Sequence, residues 1–204
     1  MALETTDLSP YTGTEVMLDK QALLGGAHVA ELRALLDRRG VLLFRNVELS
    51  DEEEVEFAAT LGTVRQDFGR PIMRVTFDRT KNPDHYEYFD ATFHWHMDGT
   101  HDDYPPLASI ATPRVLPPPG TGQTEFVNAY ASWDELPAED KQLLEGLTAA
   151  HTQKFALPLD GNPTEAQLAR VEKLGARLQP AVWLHRNGRK SLALGASVEW
   201  FDGW

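Results

Sequence analysis

The chain has 204 residues, 42% of them hydrophobic and 25% charged, a formal net charge of −12 and no cysteine. That size and composition suit a single soluble domain with a real core; no apolar run reaches the ~18 residues of a membrane helix, and the acidic balance argues against a nucleic-acid partner. Disulfides, thiolate-held metals, iron–sulfur clusters and cysteine nucleophiles are excluded, so any metal must be held by His, Asp or Glu. The opening MALETTDLSP has neither a basic nor an apolar signal region, which makes the cytoplasm the expected location and a small molecule the expected partner.

In chain order, residues 28–39 place Val29, Leu32, Leu35 and Leu36 on one helical face, with Gly40 where a left-handed C-terminal residue is expected. Val41 to Phe44 reads as a short buried strand. Ser50 and Glu53 form a capping-box pattern that opens a helix running to Leu61 and ending at Gly62, with acidic residues crowding the first turn where the helix dipole favours them. Residues 71–77 read as a strand, followed by a polar connection through Asn82, Pro83 and Asp84. Residues 107–112 and 124–127 read as strands on either side of a proline-rich loop, Leu116 to Gly122. A helix starts at residues 136–140 with apolar Leu143, Leu144 and Leu147, and another is expected over 164–178. Residues 182–185 and 191–194 read as strands around an Asn187-Gly188 turn. Helices first and sheet later suggest an α+β or mainly β fold.

The densest chemistry lies in Phe93-His94-Trp95-His96-Met97-Asp98-Gly99-Thr100-His101-Asp102-Asp103. On a strand, His94, His96 and Asp98 share a face, and two imidazoles with a carboxylate are the donor set of non-haem Fe(II) oxygenases. Spacing alone also fits a polar surface strand entering an acidic loop. On the strand reading Trp95 faces away and packs in the core, while His101, Asp102 and Asp103 belong to the following loop.

The Trp95-His96-Met97-Asp98 stretch, the later Thr121-Gly122-Gln123-Thr124 run and the Trp133-to-Pro137 helix start resemble the taurine dioxygenase (TauD/TfdA) family of Fe(II)- and 2-oxoglutarate-dependent oxygenases. Arg39 to Asn46, the Ser50 helix, and Asn187 to Leu192 are similar to further blocks of that family in the same order, so the likeness runs from about residue 25 to the end. It implies one catalytic domain over 1–204: a helix–strand–helix block at about 25–62, then a double-stranded β-helix (jelly-roll) core at about 70–204 decorated with helices. It assigns His96 and Asp98 as iron ligands and catalytic residues, and Thr124 as the threonine that hydrogen-bonds a 2-oxoglutarate carboxylate. His94 falls where the family varies, outside the ligand set, and reads either as a contact to substrate or to the ligands from behind, or as a surface histidine beside the site. The implied cofactors are Fe(II), 2-oxoglutarate and O2. The implied reaction oxidises a carbon of a small organic substrate, by hydroxylation, desaturation or cleavage, as 2-oxoglutarate becomes succinate and CO2.

The family pattern also calls for a distal histidine and, some ten to fifteen residues later, an arginine that pairs a cosubstrate carboxylate. After residue 101 the only histidines are His151 and His185, and neither is followed by arginine in the windows 161–166 and 195–200. The expectation is therefore a core lacking its final strands, with a homo-oligomer in which a second copy supplies them, or recruitment of His185, as alternatives. The residues at Asp67-Phe68 and Ala91-Thr92-Phe93 do not reproduce the sulfonate-binding positions of the taurine enzymes, so the substrate stays unnamed. Two further readings stand beside the dioxygenase: a cupin-like enzyme using His94-x-His96, weakened because Met97 to Asp103 holds no glutamate, and a non-catalytic remnant of the same fold.

Overall fold

A computed structural model of the chain describes residues 3–66, 69–76, 78, 80–81, 93–158 and 161–204. The expected connection through Asn82, Pro83 and Asp84, residue 77 of the expected strand, and Asp67, Phe68, Ala91 and Thr92 lie outside the described residues. The chain forms two compact units, Met1–Ile72 with Leu107–Asn128, and Met73–Pro106 with Ala129–Trp204.

In the first unit, β1 (Thr5–Asp7) pairs antiparallel with β2 (Thr14–Val16), which pairs parallel with β3 (Leu42–Leu43). Helices α1 (Lys20–Leu24), α2 (Val29–Arg39) and α3 (Asp51–Leu61) supply most of the apolar side chains. The buried core set is Val16 from β2, Leu23, Leu32, Leu35 and Phe57 from the helices, and Leu49 just before α3; Phe57 packs edge-on against Phe44 with ring centroids 5.9 Å apart. Each such side chain contributes roughly 1.5–3 kcal/mol when fully buried. The expected capping box forms in full: Ser50 Oγ accepts from the Glu53 N–H and the Glu53 carboxylate accepts from the Ser50 N–H. Lys20 also grips Glu53 at 2.8 Å, and these two partners hold its carboxyl below the usual carboxylate range. α2 ends at Gly40, whose φ of 74° lies where a side chain is disfavoured, as the sequence pattern expects.

In the second unit, β4 (Thr148–His151) is the middle strand of an antiparallel sheet, flanked by β5 (Arg177–Pro180) and β8 (Val198–Asp202). The β4–β8 register shifts between Ala150 and His151, an irregularity of the kind that re-aims a side chain. Strands β6 (Val182–Leu184) and β7 (Lys190–Leu192) form the expected hairpin, with Gly188 at φ 80° and the Arg189 N–H donating to Asn187 Oδ1 at 2.9 Å. Helix α4 (Ala129–Glu135) lies against β7, where Lys190 sits 5.6 Å over the Trp133 ring and Arg189 3.9 Å over Tyr130. Helix α5 (Ala138–Leu144) follows. Helix α6 (Glu165–Leu174) carries a second capping box, Thr164 with Gln167.

Several expectations are corrected. The described parts of 71–77, and all of 107–112 and 124–127, are not strands. Leu107, Phe126 and Val127 are 63%, 56% and 64% exposed, so no apolar face is covered, and a strand holds its shape only with a paired ladder and a buried side. Polar anchors fix this stretch to the first unit instead: Arg114 donates to the Leu49 carbonyl at 2.5 Å and to Asp51 Oδ1 at 2.8 Å, and Asn128 Nδ2 to the Tyr11 carbonyl at 2.7 Å. The helix expected over 164–178 stops at Leu174, because Gly175 turns out at φ 65°, and residues 177–180 pair as β5. The α+β character stands. No helix among the described residues is long and apolar enough to cross a membrane.

Candidate metal and cofactor site

His96 and Asp98 converge, though not on a strand. Residues 93–98 have no ladder, and the chain folds back through a turn at residues 98–101. Gly99 makes that turn possible: its φ is 70°, and an added Cβ would lie 2.5 Å from Pro106 Cδ and 2.9 Å from Asp102 Oδ2. The turn closes when the Asp102 N–H donates to the Gly99 carbonyl at 2.9 Å.

The result places His96 Nε2 3.4 Å from Asp98 Oδ1. On its other edge, His96 Nδ1 lies 2.7 Å from the His94 carbonyl, which can only accept, so Nδ1 carries the proton. That hydrogen bond leaves the Nε2 lone pair facing the carboxylate, the tautomer a metal ligand needs. Imidazole nitrogen and carboxylate oxygen sit about 2.1 Å from a first-row divalent ion, so two in adjacent positions lie about 3 Å apart. The observed 3.4 Å fits that pair. The Asp98 carboxylate raises the pKa of His96, with the His94 carbonyl assisting and burial opposing. The pair thus favours a positive charge at Nε2, and a divalent ion meets the same preference.

The neighbouring residues separate into roles. His94 enters through its backbone carbonyl. Trp95, expected in the core, is 56% exposed: with no regular strand there is no opposite face to bury it. Phe155, from a short 3₁₀ turn at Lys154–Ala156, lies beside His96 with ring centroids 5.7 Å apart. His101, Asp102 and Asp103 are loop residues as expected, and they tether the loop: His101 to Gln153 at 2.7 Å, the Asp102 carbonyl to Gln179 Nε2 at 3.3 Å, and Asp103 to Arg177 in an ion pair.

Neither later histidine joins the pair. His151 is fully buried, with Nδ1 2.8 Å from Ser197 Oγ. His185 places Nε2 2.8 Å from Ser191 Oγ and its ring against Tyr130, with centroids 4.8 Å apart. Among the described residues no three His, Asp or Glu side chains group to hold a metal ion. Thr124 belongs to the first unit, on an exposed, irregular segment. Gly195 and Ser197 touch residues 95–100 from 97 or more positions away, and a glycine and a serine in a tail give no spacing signal.

A His-x-Asp pair with its imidazole fixed by a backbone carbonyl offers two of the three donors of a non-haem Fe(II) facial triad. Residues 4–204 match the family described as taurine catabolism dioxygenase TauD, TfdA family, and the chain belongs to that family. Its members are 2-oxoglutarate-dependent dioxygenases that use Fe(II), 2-oxoglutarate and O2. The chain is 30% identical over 207 residues to an alpha-ketoglutarate-dependent 2,4-dichlorophenoxyacetate dioxygenase of Cupriavidus pinatubonensis, covering 91% of this chain and 70% of that protein. To an alpha-ketoglutarate-dependent sulfate ester dioxygenase of Pseudomonas putida it is 29% identical, over 89% of this chain and 62% of the relative. A crystal structure of AAD-2 with Mn(II) and N-oxalylglycine shares the fold at TM-score 0.76 and 22% identity, covering 100% of this chain and 73% of that one.

Proposed function

We propose that this chain is an Fe(II)- and 2-oxoglutarate-dependent dioxygenase that oxidises a carbon of a small organic substrate, by hydroxylation, desaturation or cleavage. The observation that carries the reading is the convergence of His96 Nε2 and Asp98 Oδ1 to 3.4 Å, with Nδ1 held by the His94 carbonyl. Iron with 2-oxoglutarate and O2 would supply the oxidising power, the cosubstrate leaving as succinate and CO2. His96 and Asp98 are assigned as two of its ligands, and Thr124 as the residue whose hydroxyl would donate a hydrogen bond to a 2-oxoglutarate carboxylate. Phe155 packs beside the imidazole, with ring centroids 5.7 Å apart. Both units belong to a single catalytic domain built on a double-stranded β-helix, a reading supported by the likeness of the whole chain to solved family members. The relatives' named substrates, a phenoxyacetate and a sulfate ester, are both small organic anions, and the substrate here is placed in that broad class.

The absence of a third donor among the described residues favours one competing reading, a remnant of the fold that binds metal weakly and does not turn over. The test is Fe(II)-dependent conversion of 2-oxoglutarate to succinate across a panel of organic anions. Wild-type turnover abolished by His96→Ala and by Asp98→Ala is the expected result. Turnover that survives His96→Ala refutes the ligand assignment; Mn(II) binding through His96 without turnover selects the remnant.

A further inference from the structure

The segment carrying His96 and Asp98 rests on the turn 195–198 that leads into β8, and every link between them involves a buried or backbone group. The Ala196 N–H donates to the Trp95 carbonyl at 2.8 Å, immediately before His96. A Cβ added at Gly195 would lie 3.1 Å from His96 Cα and 3.1 Å from the Trp95 oxygen. Both are backbone atoms, so no side-chain rotation relieves that contact. Beyond Asp98, Thr100 Oγ1 meets Ser197 Oγ at 3.0 Å. The turn therefore touches the ligand segment on both sides of the donor pair.

Ser197 is in turn fixed from β4. Its Oγ lies 2.8 Å from His151 Nδ1, and its carbonyl accepts from the Thr152 N–H at 2.8 Å. Thr100, Ser197 and His151 are 1%, 1% and 0% exposed. One hydroxyl can donate only once, so Ser197 either donates to Nδ1 and accepts from Thr100 or runs the chain in reverse; both directions complete it. His151 Nε2, by contrast, has no hydrogen-bond partner among the described residues. Buried polar atoms are ordinarily paired.

We propose that Gly195, Ser197 and His151 are positioning residues for the His96–Asp98 donor pair: Gly195 sets the depth of the His96 backbone, and His151, through Ser197 and Thr100, fixes the turn that aims Asp98. The inference rests on the assignment of His96 and Asp98 as metal ligands. Supporting groups behind metal ligands typically change metal affinity 10–100-fold when removed.

The test is Mn(II) titration of the full chain, following free Mn(II) by electron paramagnetic resonance, with folding of every variant checked by circular dichroism. Ser197→Ala, Gly195→Ala and His151→Leu are expected to weaken Mn(II) about tenfold or more. His151→Asn, whose amide nitrogen can occupy the place of Nδ1, is expected to keep wild-type affinity. A merely structural role would lower the melting temperature in these variants and leave the affinity of the folded chain unchanged. Should Ser197→Ala fail to fold, the contrast between His151→Asn and His151→Leu makes the same comparison. Unchanged affinity in Ser197→Ala and His151→Leu, with binding abolished by His96→Ala, overturns the positioning role and leaves the ligand assignment standing. Mn(II) binding that survives His96→Ala overturns both.

Discussion

Arg39 is a charged side chain only 7% exposed, and its replacement tests how the first unit is held together. Its guanidinium makes four hydrogen bonds: Nε to Thr14 Oγ1 at 3.0 Å, Nη1 to the Pro10 carbonyl at 3.0 Å, and Nη2 to the Ser9 and Gly13 carbonyls at 2.6 and 3.1 Å. Asp7 lies 3.4 Å away, but its carboxylate is largely exposed, so that ion pair adds little. Arg39→Ala deletes four hydrogen bonds at about 1 kcal/mol each, for a loss of about 4 kcal/mol, although the Gly13 carbonyl keeps the Leu8 N–H. In a chain of this length that corresponds to a melting temperature lower by about 8–16 °C. Arg39→Lys keeps the charge but offers a single point donor that cannot span acceptors spread from Ser9 to Thr14, so it should recover no more than about half. Urea denaturation of the three proteins measures both effects. A loss below about 1 kcal/mol for Arg39→Ala, or full recovery by lysine, would refute the clamp.

Ser50→Ala removes the acceptor at the start of α3 and is expected to cost about 1 kcal/mol in the same assay; no change would mean that water replaces the cap. Glu53 has its folded pKa lowered by Lys20 and Ser50, so its contribution is present above the ordinary carboxylate range and is lost as pH falls through the folded value. Lys20→Ala should flatten that acid limb. Burial, and then the nearby charge of His101, lowers the pKa of His151. The unfolded chain then takes up this proton first as pH falls below about 6.5, and stability drops from there toward the folded value; His151→Asn should remove that component from the pH dependence of urea unfolding. On the proposed role of Thr124 as a hydrogen-bond donor to the charged cosubstrate, Thr124→Val is expected to raise the KM for 2-oxoglutarate about tenfold or more; an unchanged KM would remove Thr124 from the cosubstrate site.

Local rules carried the parts of the fold that local interactions decide. The capping box at Ser50, the Gly40 terminus of α2 and the Asn187-Gly188 hairpin are each closed within a few residues, and each formed as read. Elements that depend on remote partners were illegible or wrong. β4 is Thr-Ala-Ala-His, with no branched apolar residue to mark it, and it is a strand because β5 and β8 pair on either side. Residues 107–112 have the opposite problem: their composition favours a strand, yet no ladder or covering layer meets them among the described residues. Propensity proposes a strand, and tertiary pairing decides it.

The donor pair shows the same division at the site. The i, i+2 spacing suggested a shared strand face, and the two groups do meet, but through an irregular segment and a turn that Gly99 alone permits. The two side chains therefore approach each other by a geometry other than the strand face that the spacing expects. What holds them comes from far along the chain: Gly195 beneath His96, Ser197 against Thr100, and His151 behind Ser197. His151 is a later histidine, yet its burial and its bond to Ser197 fit a supporting task rather than a metal ligand's. A metal site needs donors, which a sequence can display in eleven residues, and it needs a rigid seat for them, which only the folded contacts reveal.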